Sequence, residues 1–463
     1  MKVLFCSSEI VPFAKTGGLA DVAGALPASL KQQGVDVVLA MPEYRGIEIA
    51  CGDRLSPDLS CSLTPQGIRI YFIRNDRYFK REGLYGDGRG DYPDNLERFA
   101  FYCRGALSAI KQTGFRPDII HCNEWQTGLI PVFLNRVLAR DPFYKDIKTV
   151  LSLHNLAYQG VFPLSDFEKL RIDYRLSDSR GLEIYGKINL LKAGIELCDA
   201  VNTVSPTYAR EILTPEFGCG LEGVLAKRKH VFGILNGLDY EIWDSLRDKF
   251  VFKRYSVDSA EDKAVNKSGL QKEAGLPVSS HVPLLGMVAR LAEQKGLELL
   301  CSVLEDISPD EAQIVVLGTG EERYHRLLAA SQDRHPRLLR AYLKFDEGLA
   351  HKIYAGADLF LMPSRYEPCG LGQMISLKYG TIPLVFRTGG LADTVSAQNG
   401  FVFETYDKEH LLAAIRRATS AYKDKPAWQR LVNKAFGYDF SWQRAAAEYL
   451  RLYRRICQTA SCR

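Results

Sequence analysis

The stretch Lys15-Thr16-Gly17-Gly18-Leu19-Ala20-Asp21-Val22 follows the short apolar run Val3-Leu4-Phe5 and precedes a segment with helical character. Its two adjacent glycines lack Cβ atoms and let the backbone approach a ligand closely. Amides at the start of a helix attract anions. Lys15 can bind a phosphate, and Asp21 can accept hydrogen bonds from sugar hydroxyls. The stretch therefore predicts a strand–loop–helix element that binds a phosphorylated sugar, although an ordinary junction with a solvated lysine has the same pattern.

A similar stretch lies near the other end of the chain. Arg387-Thr388-Gly389-Gly390-Leu391-Ala392-Asp393 repeats the residues T-G-G-L-A-D and follows another apolar run, Ile382–Phe386. Two such elements, one in each half, predict two related α/β domains.

Composition limits the classes of protein that this chain can belong to. A length of 463 residues predicts two or three domains, and 46% hydrophobic with 25% charged residues is typical of globular proteins. The net charge of +5 is too dispersed to indicate a nucleic-acid partner. No apolar run approaches the ~20 residues that span a bilayer. Eleven scattered cysteines and eight histidines lack metal-ligand spacing. We expect a cytoplasmic protein with reduced thiols and no metal.

Apolar runs of strand length alternate with helical stretches throughout the chain. Because the runs are continuous rather than alternating, they predict strands buried on both faces of parallel sheets. The predicted strands are 35–40, 68–73, 118–121, 149–153, 200–204 and 231–235 in the first half, and 283–288, 313–317, 357–362 and 382–386 in the second.

The pattern predicts an N-terminal domain over 1–240 and a C-terminal domain over 283–440. The segment 241–282 is charged and poor in strand signal, so we expect it to connect the two domains. The final segment, 441–463, has apolar residues at helical spacing and is predicted to be an amphipathic helix.

Residues that follow strands are the candidates for a site, because ligands bind at the carboxyl ends of parallel strands. His154-Asn155 and Asn236-Gly237 follow two strands, although a structural hydrogen bond or a plain turn is an alternative for each. In the second half, Arg290 follows a strand and Lys295 lies five residues later. Such a pair can bind a diphosphate, and a solvated loop is the alternative.

The stretch Glu367-Pro368-Cys369-Gly370-Leu371 follows another predicted strand and precedes a helix. Its glycine allows close approach, so we expect the Glu367 carboxylate to face polar groups of a ligand. By contrast, Gly318-Thr319-Gly320 is an incomplete dinucleotide motif, because Arg323 replaces the third glycine. Hydride-transfer chemistry is therefore not favoured.

Taken together, these residues resemble the bacterial glycogen synthases and plant starch synthases, which are retaining glucosyltransferases of the GT-B type. The resemblance runs nearly from end to end. It is carried by the first glycine loop and by the motifs 84–87, 91–95 with 98–99, 121–126, 154–160, 236–239 with Trp243, 290–291 with 295–296, 367–371 and 388–391.

The resemblance implies two Rossmann-like domains that face a deep cleft, with the C-terminal helix crossing back to the N-terminal domain. It implies transfer of glucose from ADP-glucose or UDP-glucose to the non-reducing 4-hydroxyl of an α-1,4-glucan, with retention of configuration. Departure of the diphosphate calls for electrostatic stabilisation, which a pair of cations can supply without a metal or cofactor. The partners implied are the nucleotide sugar and the glucan, with no nucleic acid and no membrane.

The resemblance also assigns roles to individual residues. The catalytic residues are Arg290, Lys295, Glu367, Asp21 and His154. The donor-binding residues are Lys15, Gly17, Gly18, Asn236, Cys369, Gly370, Leu371, Thr388, Gly389 and Gly390. The acceptor-side residues are Tyr85, Asp91, Asn95, Trp125, Asn155, Tyr158 and Gln159.

Two other functions remain open at this point. A related glycosyltransferase with another donor or acceptor has the same fold, and a catalytically silent protein could bind glucan without transferring sugar. Retention of both cations and of Glu367 favours an enzyme. The sequence does not separate ADP-glucose from UDP-glucose and does not indicate an oligomeric state.

Overall fold

A computed structural model describes residues 1–47, 49, 53–88, 90–173 and 181–458. The chain divides into two compact units, Met1–Gly237 with Trp442–Arg463, and Leu238–Ser441. We call them unit 1 and unit 2. Among the described residues, no helix combines the length and apolar character needed to cross a bilayer.

Unit 1 contains a nine-stranded sheet in the order β14-β13-β9-β8-β1-β2-β5-β4-β3, which is parallel except at β4 and β3. The strands of unit 1 are β1 Lys2–Cys6, β2 Asp36–Pro42, β3 Asp53–Ser56, β4 Leu59–Leu63, β5 Arg69–Ile73, β6 Gly86–Asp87, β7 Gly90–Asp91, β8 Ile119–Asn123, β9 Lys148–Leu153, β10 Val161–Pro163, β11 Glu183–Ile184, β12 Lys187–Asn189, β13 Ala200–Thr203 and β14 Val231–Gly233.

Helices cover this sheet, so its central strands are buried on both faces. The α-helices of unit 1 are α1 Gly18–Gln32, α2 Asp76–Phe79, α3 Asn95–Gln112, α4 Leu129–Val132, α5 Leu190–Leu197, α6 Pro206–Glu211, α7 Glu222–Leu225 and α16 Trp442–Gln458, joined by 3-10 helices Trp125–Thr127 and Leu164–Leu170 and a π-helix Phe133–Val137. Strand β8 is fully buried, which explains its continuous apolar run.

The C-terminal helix α16 packs within unit 1. The hydroxyl of Tyr453 lies 2.6 Å from Nδ1 of the buried His121, and Asn202 donates to the Tyr449 hydroxyl at 3.0 Å. The apolar residues that we predicted at helical spacing, Trp442, Ala446, Tyr449, Leu450 and Tyr453, are all buried. Residues 459–463 of the predicted helix lie outside the described residues.

Unit 2 contains a fully parallel six-stranded sheet in the order β17-β16-β15-β18-β19-β20. This is the Rossmann order 3-2-1-4-5-6. Its strands are β15 Leu284–Val288, β16 Gln313–Leu317, β17 Leu339–Tyr342, β18 Leu359–Met362, β19 Ile382–Phe386 and β20 Phe401–Phe403. Its α-helices are α8 Lys263–Glu273, α9 Leu297–Ser302, α10 Glu322–Arg334, α11 Glu347–Gly356, α12 Gly372–Lys378, α13 Gly389–Thr394, α14 Lys408–Lys423 and α15 Lys425–Phe436, with 3-10 helices Val257–Asp262, Glu293–Lys295 and Leu304–Asp306. The predicted α/β class with parallel sheets is confirmed.

The segment 241–282 differs from the interdomain connection that we expected, because it lies in unit 2. Some of its charged residues, Asp248, Lys263 and Lys267, are buried rather than solvated. Lys267 in α8 forms a 2.7 Å ion pair with Asp358 and donates to the Tyr422 hydroxyl at 2.7 Å. Gln271 donates to Gln313 at 2.8 Å. Composition alone therefore does not reveal that this segment belongs to a folded unit.

Candidate active site

In both sheets the strand order reverses beside the first strand of the unit, between β1 and β8 in unit 1 and between β15 and β18 in unit 2. Ligands of open α/β sheets bind outside the carboxyl ends of the strands at this point. The glycine loop Lys15–Gly18 follows β1, and Glu124 follows β8. Arg290 follows β15, and Glu367 follows β18. The predicted residues thus lie at the expected edge of each sheet.

The first glycine loop leaves space beside its backbone. A Cβ on Gly17 or Gly18 would meet no atom within 4 Å, and neither residue has a left-handed φ. Neither packing nor backbone geometry therefore requires glycine here, and the space is open to a ligand. The Lys15 ammonium lies 2.7 Å from Asp21 Oδ1, and both side chains are about half exposed.

The amide of Gly17 does not face this open space. It donates to Oε2 of Glu9 at 3.2 Å, next to the Thr16 amide, which donates to the same oxygen at 2.5 Å. We expected the Gly17 amide to bind a donor. The structure corrects that assignment, because a buried carboxylate beneath the loop needs hydrogen-bond donors. No partner among the described residues takes the amide of Gly18.

The second glycine loop repeats the same residues, but here close packing is the reason that glycine is required. Gly389 has a φ of +42°, and a Cβ there would lie 2.0 Å from the Glu367 carbonyl oxygen. A Cβ on Gly390 would lie 2.0 Å from the Cys369 carbonyl oxygen. The Gly390 amide donates to the Glu367 carbonyl at 3.0 Å. These glycines therefore let Thr388–Gly390 pack against the turn Glu367–Leu371 and hold it in place.

An ion pair stands at the reversal point of unit 2. Lys295 Nζ lies 2.6 Å from Glu367 Oε2, and the two side chains are 18% and 8% exposed. The Ser364 hydroxyl donates to the same carboxylate oxygen at 3.0 Å. Arg290 is exposed and forms no ion pair within the described part of the chain. The paired Lys295 and the uncommitted Arg290 thus both follow β15, and Glu367 follows the neighbouring strand β18.

His154 is held as a neutral imidazole. Burial lowers its pKa to about 4. Asn123 donates from Nδ2 to the Cys6 carbonyl at 2.9 Å, which turns its Oδ1 toward His154 Nε2, also at 2.9 Å. Nε2 therefore carries the proton, and Nδ1 is available as an acceptor.

Glu124 holds the backbone of the strand-end pair His154-Asn155. Its Oε1 accepts hydrogen bonds from both amides, at 2.9 Å for Asn155. Its backbone has φ 61° and ψ −179°, a conformation that non-glycine residues avoid. Burial raises its pKa to about 8, against the opposing effect of the two amides. Strain and a neutral buried acid in one residue are typical of functional sites.

Glu124→Gln is expected to flatten the pH dependence of stability. The carboxyl has a reference pKa of 4.5 and a folded-state pKa of about 8. Between these values the unfolded state releases a proton that the folded state keeps, so stability falls as pH rises. Glutamine cannot ionise, and its carbonyl can accept the same amides. Urea unfolding at pH 5 and pH 8 should show a smaller loss for E124Q than for the parent.

The matched control is Glu241→Gln, because Glu241 is 82% exposed. It should keep the parent's pH dependence. The same fall in stability between pH 5 and pH 8 in E124Q and the parent would contradict the assignment to Glu124.

Five of the predicted acceptor-side residues surround one pocket of about 560 Å³ in unit 1. They are Asp91, Asn95, Trp125, Tyr158 and Gln159. Aromatic faces and polar hydrogen-bonding groups together suit a sugar ring, which has apolar faces and hydroxyl edges. The remaining two, Tyr85 and Asn155, do not line this pocket.

Three predicted residues have contacts that bear on their roles. The Tyr85 hydroxyl donates to Glu9 Oε1 at 2.8 Å rather than facing the pocket. The Asn155 side chain accepts from the Ala157 amide at 3.1 Å and so shapes the local turn. Asn236 is buried, and its Oδ1 has no partner among the described residues, which leaves it an acceptor for a ligand.

The sequence patterns leave out four residues of these sites, namely Glu9, Asn123, Glu124 and Ser364. Each follows or ends a strand, so the strand-end rule could have included them. Ser364 lies only three positions before its partner Glu367. The partners of Glu9 and Asn123 lie 76 and 31 positions away in the chain, and no spacing pattern encodes such contacts.

Comparison with known proteins extends over the whole chain. The starch synthase catalytic domain family matches residues 2–227, and the glycosyl transferases group 1 family matches residues 272–435. A glycogen synthase of Geotalea daltonii is 46% identical, and one of Thermotoga maritima is 45% identical; each alignment covers 98% of this chain and 99% of the relative.

Solved structures show the same architecture. The catalytic domain of Starch Synthase IV from Arabidopsis thaliana, bound to ADP and acarbose, has a TM-score of 0.86 and 32% identity over 98% of this chain and 99% of that one. A sucrose-phosphate synthase from Thermosynechococcus elongatus shares the fold, with a TM-score of 0.64 and 17% identity over 99% of both chains.

Two Rossmann-type units with these matches define a glycosyltransferase of the GT-B fold. Within that class, the chain belongs to the glycogen synthase and starch synthase family.

Proposed function

We propose that this protein is a glucosyltransferase that extends an α-1,4-glucan. It transfers glucose from ADP-glucose to the non-reducing 4-hydroxyl and retains the anomeric configuration. The Lys295–Glu367 pair and the uncommitted Arg290, five residues before Lys295 in the chain, carry the proposal, because they supply cations for a leaving diphosphate and a carboxylate for sugar hydroxyls. Full-length similarity to glycogen synthases supports the reaction, and the ADP in the starch synthase structure supports the donor.

Stabilisation of the leaving diphosphate is the main task of catalysis in this proposal. As the glycosidic bond to phosphate breaks, its electron pair stays on the phosphate oxygen, so the diphosphate gains one negative charge and an oxocarbenium-like sugar remains. Arg290 binds the diphosphate through its guanidinium, and Lys295 moves its charge from Glu367 toward the phosphate oxygens. Glu367 then accepts from sugar hydroxyls. This division of labour favours front-face attack over a covalent intermediate on Glu367.

Unit 1 contributes further polar groups in this proposal. Lys15 and the Gly18 amide bind phosphate at the open glycine loop, and Asp21 binds a sugar hydroxyl. Neutral His154 accepts at Nδ1, and the orphaned Oδ1 of Asn236 accepts another hydroxyl. Thr388, Gly389 and Gly390 pack against the turn Glu367–Leu371. These contacts support a role in shaping the donor site more than a role in binding the donor directly.

The glucan acceptor binds in the 560 Å³ pocket of unit 1. Trp125 and Tyr158 supply aromatic faces, while Asp91, Asn95 and Gln159 supply hydrogen-bonding groups. Tyr85 and Asn155 support the walls of this region rather than touching glucan. The expected cytoplasmic location and the expected absence of a metal stay predictions.

Transfer assays test the proposed function directly. The purified chain should move radiolabelled glucose from ADP-glucose onto glycogen, faster than from UDP-glucose, and the product should be digestible by an α-1,4-specific hydrolase. EDTA should leave the rate unchanged, because Arg290 and Lys295 replace a metal. Glycogen binding without transfer from either donor would instead establish the silent glucan-binding protein, and a strict need for a divalent metal would contradict the cation assignment.

A further inference from the structure

Glu9 is a buried carboxylate that follows β1, and only 4% of its surface is exposed. Its oxygens accept four hydrogen bonds: from the Thr16 amide at 2.5 Å, the Thr16 hydroxyl at 2.8 Å, the Gly17 amide at 3.2 Å and the Tyr85 hydroxyl at 2.8 Å. No ion pair to Glu9 occurs among residues that the structure describes. Neutral donors from the glycine loop and from Tyr85 therefore satisfy this carboxylate.

The glycine loop has few other supports. The space beside Gly17 and Gly18 is open, since a Cβ at either position would meet nothing within 4 Å. Residues 15–18 are all exposed. The Lys15–Asp21 pair at 2.7 Å and the bond from the Ala20 amide to the Gly17 carbonyl at 3.3 Å join the loop to α1. The three bonds from Thr16 and Gly17 to Glu9 join it to the segment that follows β1.

Glu9 also has a path to the glucan pocket. Asn95 and Trp125 line that pocket. Asn95 Nδ2 donates to the Tyr85 carbonyl at 2.9 Å. The Phe99 ring lies 4.9 Å from the Trp125 ring and 6.0 Å from the Tyr85 ring, between centroids. Two routes therefore link the pocket walls to Tyr85, one directly from Asn95 and one from Trp125 through Phe99, and the Tyr85 hydroxyl reaches Glu9.

We propose that Glu9 is a positioning residue that couples the glucan pocket to the donor's glycine loop. A glucan that seats against Asn95 and Trp125 fixes Tyr85, and Tyr85 fixes the Glu9 carboxylate that holds the Thr16 and Gly17 amides. Glucan binding thereby orders the loop for the donor diphosphate, and each ligand raises the affinity for the other. This inference rests on the proposed function for the identity of both ligands.

Calorimetric titration of ADP with and without maltopentaose tests the coupling. In the parent protein, maltopentaose should tighten ADP binding about fivefold or more, and ADP should tighten maltopentaose binding by the same factor. In Glu9→Gln one acceptor oxygen becomes a donor, so the four bonds cannot all form. We expect E9Q to bind ADP about tenfold more weakly and to lose the effect of maltopentaose.

Tyr85→Phe provides a second variant, which keeps the bonds between Glu9 and the loop. It should lose the effect of maltopentaose on ADP with a smaller change in ADP affinity than E9Q, and it carries the test if E9Q does not fold. Glu241→Gln is the exposed control and should match the parent. A merely structural role would lower thermal stability without changing the ratio of ADP affinities.

Equal ADP affinity with and without maltopentaose in the parent, or full coupling in both E9Q and Y85F, would overturn the coupling role. Failure of the proposed function has a different signature, because the parent would then transfer no glucose from ADP-glucose. The two outcomes are therefore separate measurements on the same preparation.

Discussion

Lys295→Ala is expected to lower kcat by about 10²- to 10³-fold, the usual effect of removing one group that stabilises developing negative charge. Lys295 stands 2.6 Å from Glu367, so both charges are already in place for the donor. Without the lysine, no ammonium group at this position stabilises the leaving diphosphate, and the carboxylate of Glu367 remains to repel it. Initial rates with saturating ADP-glucose and glycogen measure the effect.

Glu367→Ala should lose most turnover as well, because its carboxylate orients both the lysine and the sugar. Both variants should remain folded by circular dichroism, since the pair lies at a loop and not in a core. Lys352→Ala is the matched control: it breaks a 2.8 Å pair with Glu273 on helices of the same unit. Near-parent turnover in both K295A and E367A would refute the catalytic assignment.

Arg290→Ala is expected to reduce kcat/KM for ADP-glucose by about 10²-fold, since a guanidinium that grips the diphosphate is lost. Arg290 is exposed and forms no ion pair with the described residues, so its removal breaks no contact of the fold. The melting temperature should therefore stay at the parent value. R290A therefore separates an effect on activity from an effect on stability more clearly than K295A does, because Lys295 forms an ion pair with Glu367 and Arg290 forms none with the described residues.

Arg326→Ala serves as the control for charge, because Arg326 is 78% exposed on a helix of unit 2. It should keep the parent kinetics. If R290A and R326A both matched the parent in kcat/KM, the role of Arg290 in donor binding would be lost. Inhibition by free ADP gives a second measure, and R290A should need more ADP for the same inhibition.

The sheets could be predicted from the sequence because their strands are buried on both faces. The runs 149–153 and 313–317 are continuous and apolar, and they coincide with β9 and β16. The antiparallel strands β3 and β4 and the parallel strands β17 and β20 are not among the predicted strands. Leu59–Leu63 mixes leucine with serine and cysteine, and β3, β17 and β20 lie at sheet edges. Segment 241–282 is predicted to be a connection because its buried lysines and its buried glutamine, Lys263, Lys267 and Gln271, are residue types typical of a solvated surface.

Position after a strand pointed to part of the candidate site, and the family resemblance supplied the other residues and the roles. His154, Arg290 and Glu367 were proposed because each follows a strand, and each lies at the reversal edge of its sheet. Position did not predict which hydrogen bonds the site residues form. The Gly17 amide is taken by Glu9, and the Tyr85 hydroxyl turns to the same carboxylate. Such contacts join residues that no short motif contains.

Local sequence patterns were enough to predict the fold class, most of the buried parallel strands and the loops that follow them, because burial and strand-end geometry act over a few neighbouring residues. Tertiary packing settles which side chains meet. It paired Lys295 with Glu367, joined Glu124 to the amides of His154 and Asn155, and set Glu9 beneath the glycine loop. Hydrogen bonds depend on distances of a few tenths of an ångström, and those arise only after distant segments pack.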